Sequence, residues 1–280
     1  MTAETTNGDF LVRFWGVRGS IACPGQGTVR YGGNTSCIEL RCGPHRLILD
    51  GGTGLRGLDA ALADDGPLKA DVLFTHTHLD HICGWPFFTR LNDPATELVV
   101  RAGNLLPDHR IGDVLGNLLR EPFFPVHAER LTARVDYRDF RAGESFAPYP
   151  GVTVITARLN HPQGATGYRI GFAGKSVCYV TDTEHVPGTP DAAILGLIEG
   201  ADLVIYDATY TDDEFAAHRG WGHSTWQEGA RLCEASGVGT YVVFHHDPDH
   251  DDAIMDDIAA AVEARRPGSL VAREGLTLRP

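Results

Sequence analysis

Residues 75 to 81 read Thr75-His76-Thr77-His78-Leu79-Asp80-His81. Four candidate metal ligands fall within six residues, directly after the apolar run Val72 to Thr75. In an extended segment alternate residues point the same way, so His76, His78 and Asp80 are expected on one side. His81 then turns to the other side as the chain leaves the strand. Imidazole nitrogen and carboxylate oxygen suit a borderline ion such as zinc, and the same donors accept manganese or iron. The competing explanation is a fortuitous surface loop, but packing gives no reason for His and Asp at this density. The chemistry to expect here is that of a bound divalent cation.

A frame of strands and helices must hold such a cluster. Phe10 to Val17 reads as a strand, broken into a loop by Gly16, Gly19 and Pro24 to Gly27. Cys37 to Cys42 alternates, and Leu47 to Leu49 is a short apolar run ending at Asp50. Gly51-Gly52-Thr53-Gly54 predicts a tight turn before a helix from Leu55 to Ala63. Val99 to Ala102 predicts a strand and Ile111 to Leu119 a helix. Val152 to Ala157, Tyr168 to Phe172 and Val177 to Thr181 predict successive strands. Then come a strand at Leu203 to Tyr206, a helix at Trp226 to Ala235 and a strand at Tyr241 to Phe244. Ile254 to Ala264 closes the chain as a helix, with Asp251 and Asp252 at its start, where the helix dipole favours negative charge. Grouped strands interrupted by helices predict an α/β (α+β) architecture with helices outside the sheets. No repeat, low-complexity tract or linker divides the sequence, so 1–280 is expected to be a single domain.

Composition narrows the function classes. The 280 residues are 42% hydrophobic and 22% charged, a globular composition long enough to bury a full core without staples. A formal net charge of -13 makes a nucleic-acid polymer an unlikely partner on electrostatic grounds. A small anionic substrate is still allowed, because a bound cation reverses the local field. The six cysteines form no CxxC pair and read as reduced, buried thiols, with Cys83 set apart by its place after the histidines. Met1 to Asp9 is polar, and no stretch is apolar enough to span a membrane, so a cytoplasmic location is expected.

The 76–81 segment resembles the HxHxDH signature of the metallo-β-lactamase superfamily. The likeness continues in order along the chain, through His161 in Leu159-Asn160-His161-Pro162, Asp182 in Val180-Thr181-Asp182-Thr183, and His245 in Val243-Phe244-His245-His246. The fold this implies is a four-layer αββα sandwich with the metals at one edge, between the two sheets. By the resemblance, His76, His78 and His161 hold one zinc ion and Asp80, His81 and His245 the other, with Asp182 bridging. His246 competes with His245, which is preferred because it directly follows the apolar run. Asp50 would support the site by orienting a ligand imidazole. Two close metals supply hydroxide near neutral pH, so the implied reaction class is hydrolysis.

Three features steer the choice of substrate. Asp182 stands where the best-known zinc β-lactamases carry cysteine, which favours the dinuclear phosphodiesterase and thioesterase branches. His78, not a glutamate, disfavours the di-iron oxygen-reducing branch. Asp207 and His223, in Tyr206-Asp207-Ala208-Thr209 and Gly222-His223-Ser224-Thr225, resemble the acid pair of tRNA 3'-processing endonucleases and related phosphodiesterases. There a carboxylate orients a histidine that protonates the leaving alkoxide. As structural residues, Asp207 would be a turn and His223 a loop before a cap at Ser224 or Thr225. The segment from His161 to Asp182 has no room for the long arm that grips tRNA. The expectation is therefore a phosphodiesterase acting on a small or cyclic nucleotide. A thioester or lactam hydrolase, an endonuclease of the tRNA-processing kind and a non-catalytic sensor are the alternatives. The resemblance also implies a homodimer. Arg18, Asn34 to Ser36, His185 and the aromatics Trp85 to Phe88, Phe123 and Phe124 are further candidates for the pocket. Loop capping, or core packing for the aromatics, is the plainer reading of them. His250 and the acidic run Asp247 to Asp257 read as a solvated helix face.

Overall fold

The structure, a computed structural model, describes residues 9–280. Of the polar opening segment, Met1 to Gly8 lie outside the described residues. The first half of the chain builds β1 (Phe10–Gly16), β2 (Cys37–Cys42), β3 (His45–Leu49), α1 (Leu55–Ala61), β4 (Lys69–Phe74), α2 (Leu79–Ile82), β5 (Glu97–Ala102), α3 (Ile111–Leu118) and β6 (Arg134–Asp139). The second half builds β7 (Ser145–Tyr149), β8 (Val152–Leu159), β9 (Ala165–Phe172), β10 (Lys175–Val180), α4 (Ala192–Ile198), β11 (Leu203–Asp207), α5 (Asp212–Phe215), α6 (Trp226–Ala235), β12 (Thr240–Phe244), α7 (Asp252–Arg265), β13 (Leu270–Val271) and β14 (Thr277–Leu278).

These strands form two seven-stranded sheets, β14-β1-β2-β3-β4-β5-β6 and β13-β12-β11-β10-β9-β8-β7. The order follows from burial. β1 alternates, with Phe10, Val12 and Phe14 turned inward, as an antiparallel strand near an edge should. β11 is buried along its whole length and pairs in parallel with β10 and β12, as a strand covered on both faces should. Phe14, Leu40, Leu49, Tyr168, Ile205 and Phe244 fill the core between the sheets. A second cluster packs α1 and α3 onto the outside of the first sheet, and a third packs α4, α6 and α7 onto the second. The expected four-layer αββα sandwich is the observed architecture.

Most element boundaries agree with expectation within a few residues. β6 went unrecognised because it is mostly charged and carries no apolar run, and β7 because it is short and interrupted by Pro148. One expectation is corrected. β4 ends at Phe74, and Leu79–Ile82 is a single helical turn, so His76, His78 and Asp80 do not alternate along one extended segment. A helical turn sets successive side chains about 100° apart, which lets Asp80 and His81 both reach the same space. Their contact, Asp80 Oδ2 to His81 Nε2, is 3.2 Å.

Candidate metal centre

The centre lies where strands of both sheets end. β3 delivers Asp50 and β4 delivers Thr75 and the histidine segment, while β8, β10, β11 and β12 deliver His161, Asp182, Asp207 and His245. Asp50, Asp182 and His245 each follow a strand end by one or two residues, and each has a left-handed backbone, with φ of 59°, 61° and 62°. Asp, Asn and His tolerate this region better than most residues, and the conformation turns each side chain sharply off its strand. The Gly51-Gly52 turn packs backbone against backbone on α2. A Cβ at Gly52 would lie 2.2 Å from the Asp80 carbonyl oxygen, so glycine is required there for α2 to sit close.

Two groups of donors result. Ligand atoms of His76, His78 and His161 lie within 4.8 Å of one another, and so do those of Asp80, His81, Asp182 and His245. Asp182 joins the groups. Its Oδ1 is 3.7 Å from His76 Nε2 and 3.8 Å from His161 Nε2, and its Oδ2 is 3.2 Å from His81 Nε2 and 3.3 Å from His245 Nε2.

Each imidazole is held by its outer nitrogen. His81 Nδ1 donates to Asp50 at 2.9 Å, His161 Nδ1 to the Gly222 carbonyl at 2.7 Å, and His78 Nε2 to Gln163 Oε1 at 2.9 Å. His245 Nδ1 pairs with Thr209 Oγ1, whose hydroxyl donates to Asp207, and His76 Nδ1 pairs with Thr75 Oγ1, whose hydroxyl donates to Asp50. The remaining nitrogens keep their lone pairs for the interior of the site. Asp50 also accepts from the Thr75 amide and the Tyr179 hydroxyl, so it anchors strands of both sheets under the centre. His246 is turned away and donates through Nε2 to the Ala272 carbonyl, so His245 is the one within the cluster.

The fit to a cation shows in an orphaned atom. His76 Nε2 is buried and has no hydrogen-bond partner, although it faces Asp182 and the other histidines. The electrostatics agree. Burial opposes ionisation of Asp80 and Asp182, yet His81 and His245 hold both carboxyls well below the usual range. Burial likewise opposes a charge on His81, but Asp80, Asp182 and Asp50 raise its pKa well above the ordinary value. His76 and His161 are pushed down, first by burial. The carboxylates that favour a positive charge on His81 would equally favour a divalent cation among these donors.

His223 and Asp207 stand beside this centre. His223 Nδ1 is 3.1 Å from Asp207 Oδ2. Asp207 also accepts from the amides of Thr183 and Thr209. Burial disfavours the imidazolium of His223, but Asp207 outweighs it, with Asp182 and Asp80 adding to the effect, and the pKa rises to about 9. His223 also lies within ligand distance of His161, Asp182 and His245, yet the nitrogen that approaches Asp182, Nδ1 at 3.8 Å, is the one that Asp207 occupies.

Other candidates have structural duties. Arg18 is fully buried and donates to the carbonyls of Gly32, Asp247 and His250, so it ties loops together and does not reach a phosphate. Asn34 is bound to Glu274, and Thr35 to Thr53. His185 stacks on Phe215 and pairs with Ser224. Trp85 and Phe88 belong to the core under α1 and α3, whereas Phe87 and Phe123 are exposed. Asp251 caps α7, and Asp252 and Asp256 bind the Arg30–Tyr31 segment. Cys83 is half-buried near Thr35, with its thiol pushed up by burial, outside both donor groups. Sequence reasoning missed Thr209, Gln163 and Tyr179. Only Thr209 left a sign, two residues beyond Asp207 at the same strand end.

Known proteins resemble this chain in sequence and in fold. Ribonuclease Z of Parabacteroides distasonis is 26% identical over 240 residues, covering 80% of this chain and 73% of that one. The metallo-beta-lactamase fold protein YhfI of Bacillus subtilis superposes with a TM-score of 0.71 at 18% identity, over 98% of this chain and 100% of its own. Zinc-bound PqqB of Methylobacterium extorquens gives 0.70 at 21% identity, over 96% and 99%. The model of the beta-lactamase superfamily domain matches residues 45–246, a span from β3 to the end of β12 that encloses every donor of the centre. The chain belongs to the beta-lactamase superfamily.

Proposed function

We propose that this protein is a dinuclear metal hydrolase, most consistent with zinc, that cleaves a phosphodiester in a small or cyclic nucleotide. The observation that carries the reading is Asp182. Its two oxygens face two separate donor groups, an arrangement suited to a carboxylate shared between two ions. His76, His78 and His161 would hold one ion and Asp80, His81 and His245 the other. When bound, such a pair supplies hydroxide near neutral pH and neutralises the oxygens of the group under attack.

The chain's own residues do the rest. Asp50, Thr209, Gln163 and the Gly222 carbonyl fix the ring orientations. Asp80 is held in place by the Ser20 amide at 2.9 Å. His223 carries the proton. Nδ1 is committed to Asp207, and Nε2 has no protein partner among the described residues, so it is free to protonate an oxygen leaving group. A His–Asp pair is needed for an alkoxide and superfluous for a thiolate. That favours a phosphodiester over a thioester. The relative named Ribonuclease Z supports phosphodiester chemistry. The net charge of -13, and a β9–β10 connection of Ala173-Gly174 with no inserted arm, favour a small substrate over a polymer.

The test is hydrolysis of bis-p-nitrophenyl phosphate and a panel of cyclic nucleotides by metal-quantified protein. Turnover with about two ions per chain supports the reading. Two bound ions with thioester or lactam cleavage and no phosphodiester turnover would overturn it.

A further inference from the structure

A cleft of about 830 Å³ opens from the His76–His78 side of the centre, lined by Leu105, Leu118 and Arg158 among others. A side pocket of about 210 Å³ continues it, sharing Asn104, Arg158 and Gln163 with the cleft and adding Arg141. The side pocket has no carboxylate in its lining. Both arginines are exposed, and neither guanidinium has a carboxylate or hydrogen-bond partner among the described residues. Elsewhere on this acidic protein Arg30, Arg46, Arg101, Arg231 and Arg265 are all paired with carboxylates. What sets Arg141 and Arg158 apart is that both unpaired guanidinium groups line one pocket whose walls hold no carboxylate.

The pocket is joined to the centre by short bonds. Gln163 accepts from His78 Nε2 at 2.9 Å, and Asn104 Nδ2 donates to the next carbonyl, Gly164, at 3.2 Å. The Arg158 guanidinium lies beside Gly164, where a Cβ would meet Nη2 at 3.5 Å. His161 stands between this side and the proton donor, its ring centroid 4.9 Å from His78 and 5.4 Å from His223. A group held by Arg141 and Arg158 thus belongs to the part of the substrate remote from the protonated leaving group.

We propose that Arg141 and Arg158 bind a second phosphate of the substrate. A guanidinium fork matches phosphate oxygens in pairs, and hydrogen bonds between charged groups are the strong ones. This rests on the phosphodiester reading and narrows it. The preferred substrate is a diester that also carries a terminal phosphate on its non-leaving side, such as a 5'- or 3'-phosphorylated dinucleotide.

The experiment compares adenylyl-adenosine with its 5'-phosphorylated and 3'-phosphorylated forms, using metal-loaded wild type and the Arg141→Gln/Arg158→Gln double variant. In the wild type, kcat/KM for one phosphorylated form exceeds that for the plain dinucleotide by about tenfold or more, mainly through KM. In the double variant the ratio falls to about one. Absence of a preference in the wild type, or its survival in the double variant, overturns the proposal. If neither these dinucleotides nor bis-p-nitrophenyl phosphate is cleaved, the phosphodiester reading itself has failed. Equilibrium binding of the same three dinucleotides to both metal-loaded proteins then decides the pocket. Tighter wild-type binding of a phosphorylated form, lost in the double variant, upholds it, and equal binding removes it.

Discussion

At the scale of single residues, two buried histidines are shifted in opposite directions by their neighbours. Burial opposes a charge on His223, but Asp207 outweighs it and raises the pKa to about 9, which suits a proton donor. Replacing it should matter in proportion to how badly the leaving group needs that proton. His223→Ala is expected to lower kcat about 10²–10⁴-fold on diesters with alkoxide leaving groups. It should cost far less on bis-p-nitrophenyl phosphate, whose leaving group departs unaided. Equal losses on both would show that His223 shapes the site without donating. His246 is the opposite case. Burial, reinforced by Arg18, pulls it down to about 3, so it is neutral when folded. The unfolded chain takes up a proton near pH 6.5 that the folded one refuses. Stability from this group is therefore complete above that pH and is lost as pH falls toward 3. His246→Gln, which keeps a donor for Ala272, should remove about 1.4 kcal/mol per pH unit from the acid slope. Urea unfolding at pH 7 and pH 5 would measure it, and parallel slopes for the two proteins would refute it.

Elements decide where those residues meet, and there legibility in the sequence was uneven. β2, α6 and the central strands announce themselves through apolar runs and periodicity. The His76–His81 segment is conspicuous because four ligands crowd one stretch. His161, Asp182, Asp207, His223 and His245 are each a single polar residue beyond a strand or in a loop, and single residues carry no periodicity. Their order along the chain, matched to a known pattern, suggested them. The helical turn at Leu79–Ile82 was hidden because four residues are too few to show a 3.6-residue period. Arg141 and Arg158 are invisible as a pair until the β8–β9 hairpin and the segment after β6 are placed together. Glycines show the same dependence on context. Gly222 has a φ of +89°, and a Cβ there would lie 2.4 Å from His161 Nδ1. The loop is pinned by Glu184, which accepts from the amides of Gly220 and Gly222 at 2.8 Å each. Gly222→Ala should displace His161 and weaken metal binding about 10–100-fold, as loss of an imidazole's supporting partner does. Metal titration by calorimetry would detect this, and unchanged affinity would mean that the loop yields.

Across the whole molecule the metal centre and the fold stabilise each other. Neither sheet holds the full donor set, so an ion bound there favours the state in which both sheets are packed. With free metal at about 1,000 times its dissociation constant, the added stability is about 4 kcal/mol. For a chain of this size that corresponds to a rise in Tm of about 10 °C. Chelation with EDTA should lower the unfolding temperature by that order and zinc should restore it, whereas an unaltered melting curve would argue against a structural share for the ion. Among the described residues no helix is long and apolar enough to cross a membrane.

The division of the donors between the sheets has a further consequence. Asp50, His76, His78, Asp80 and His81 come from the segment that ends with β6, and His161, Asp182, Asp207, His223 and His245 from the segment that begins with β7. The connection between them runs from Phe140, which is buried in the core, through the largely exposed residues Arg141 to Glu144. A nick there would give two fragments, each with one sheet's share of the ligands and neither with a complete centre, while β14 of the second still pairs with β1 of the first. Hydrolysis would then report the reunion of two pieces, which makes the molecule a natural split reporter with its signal generated at the seam.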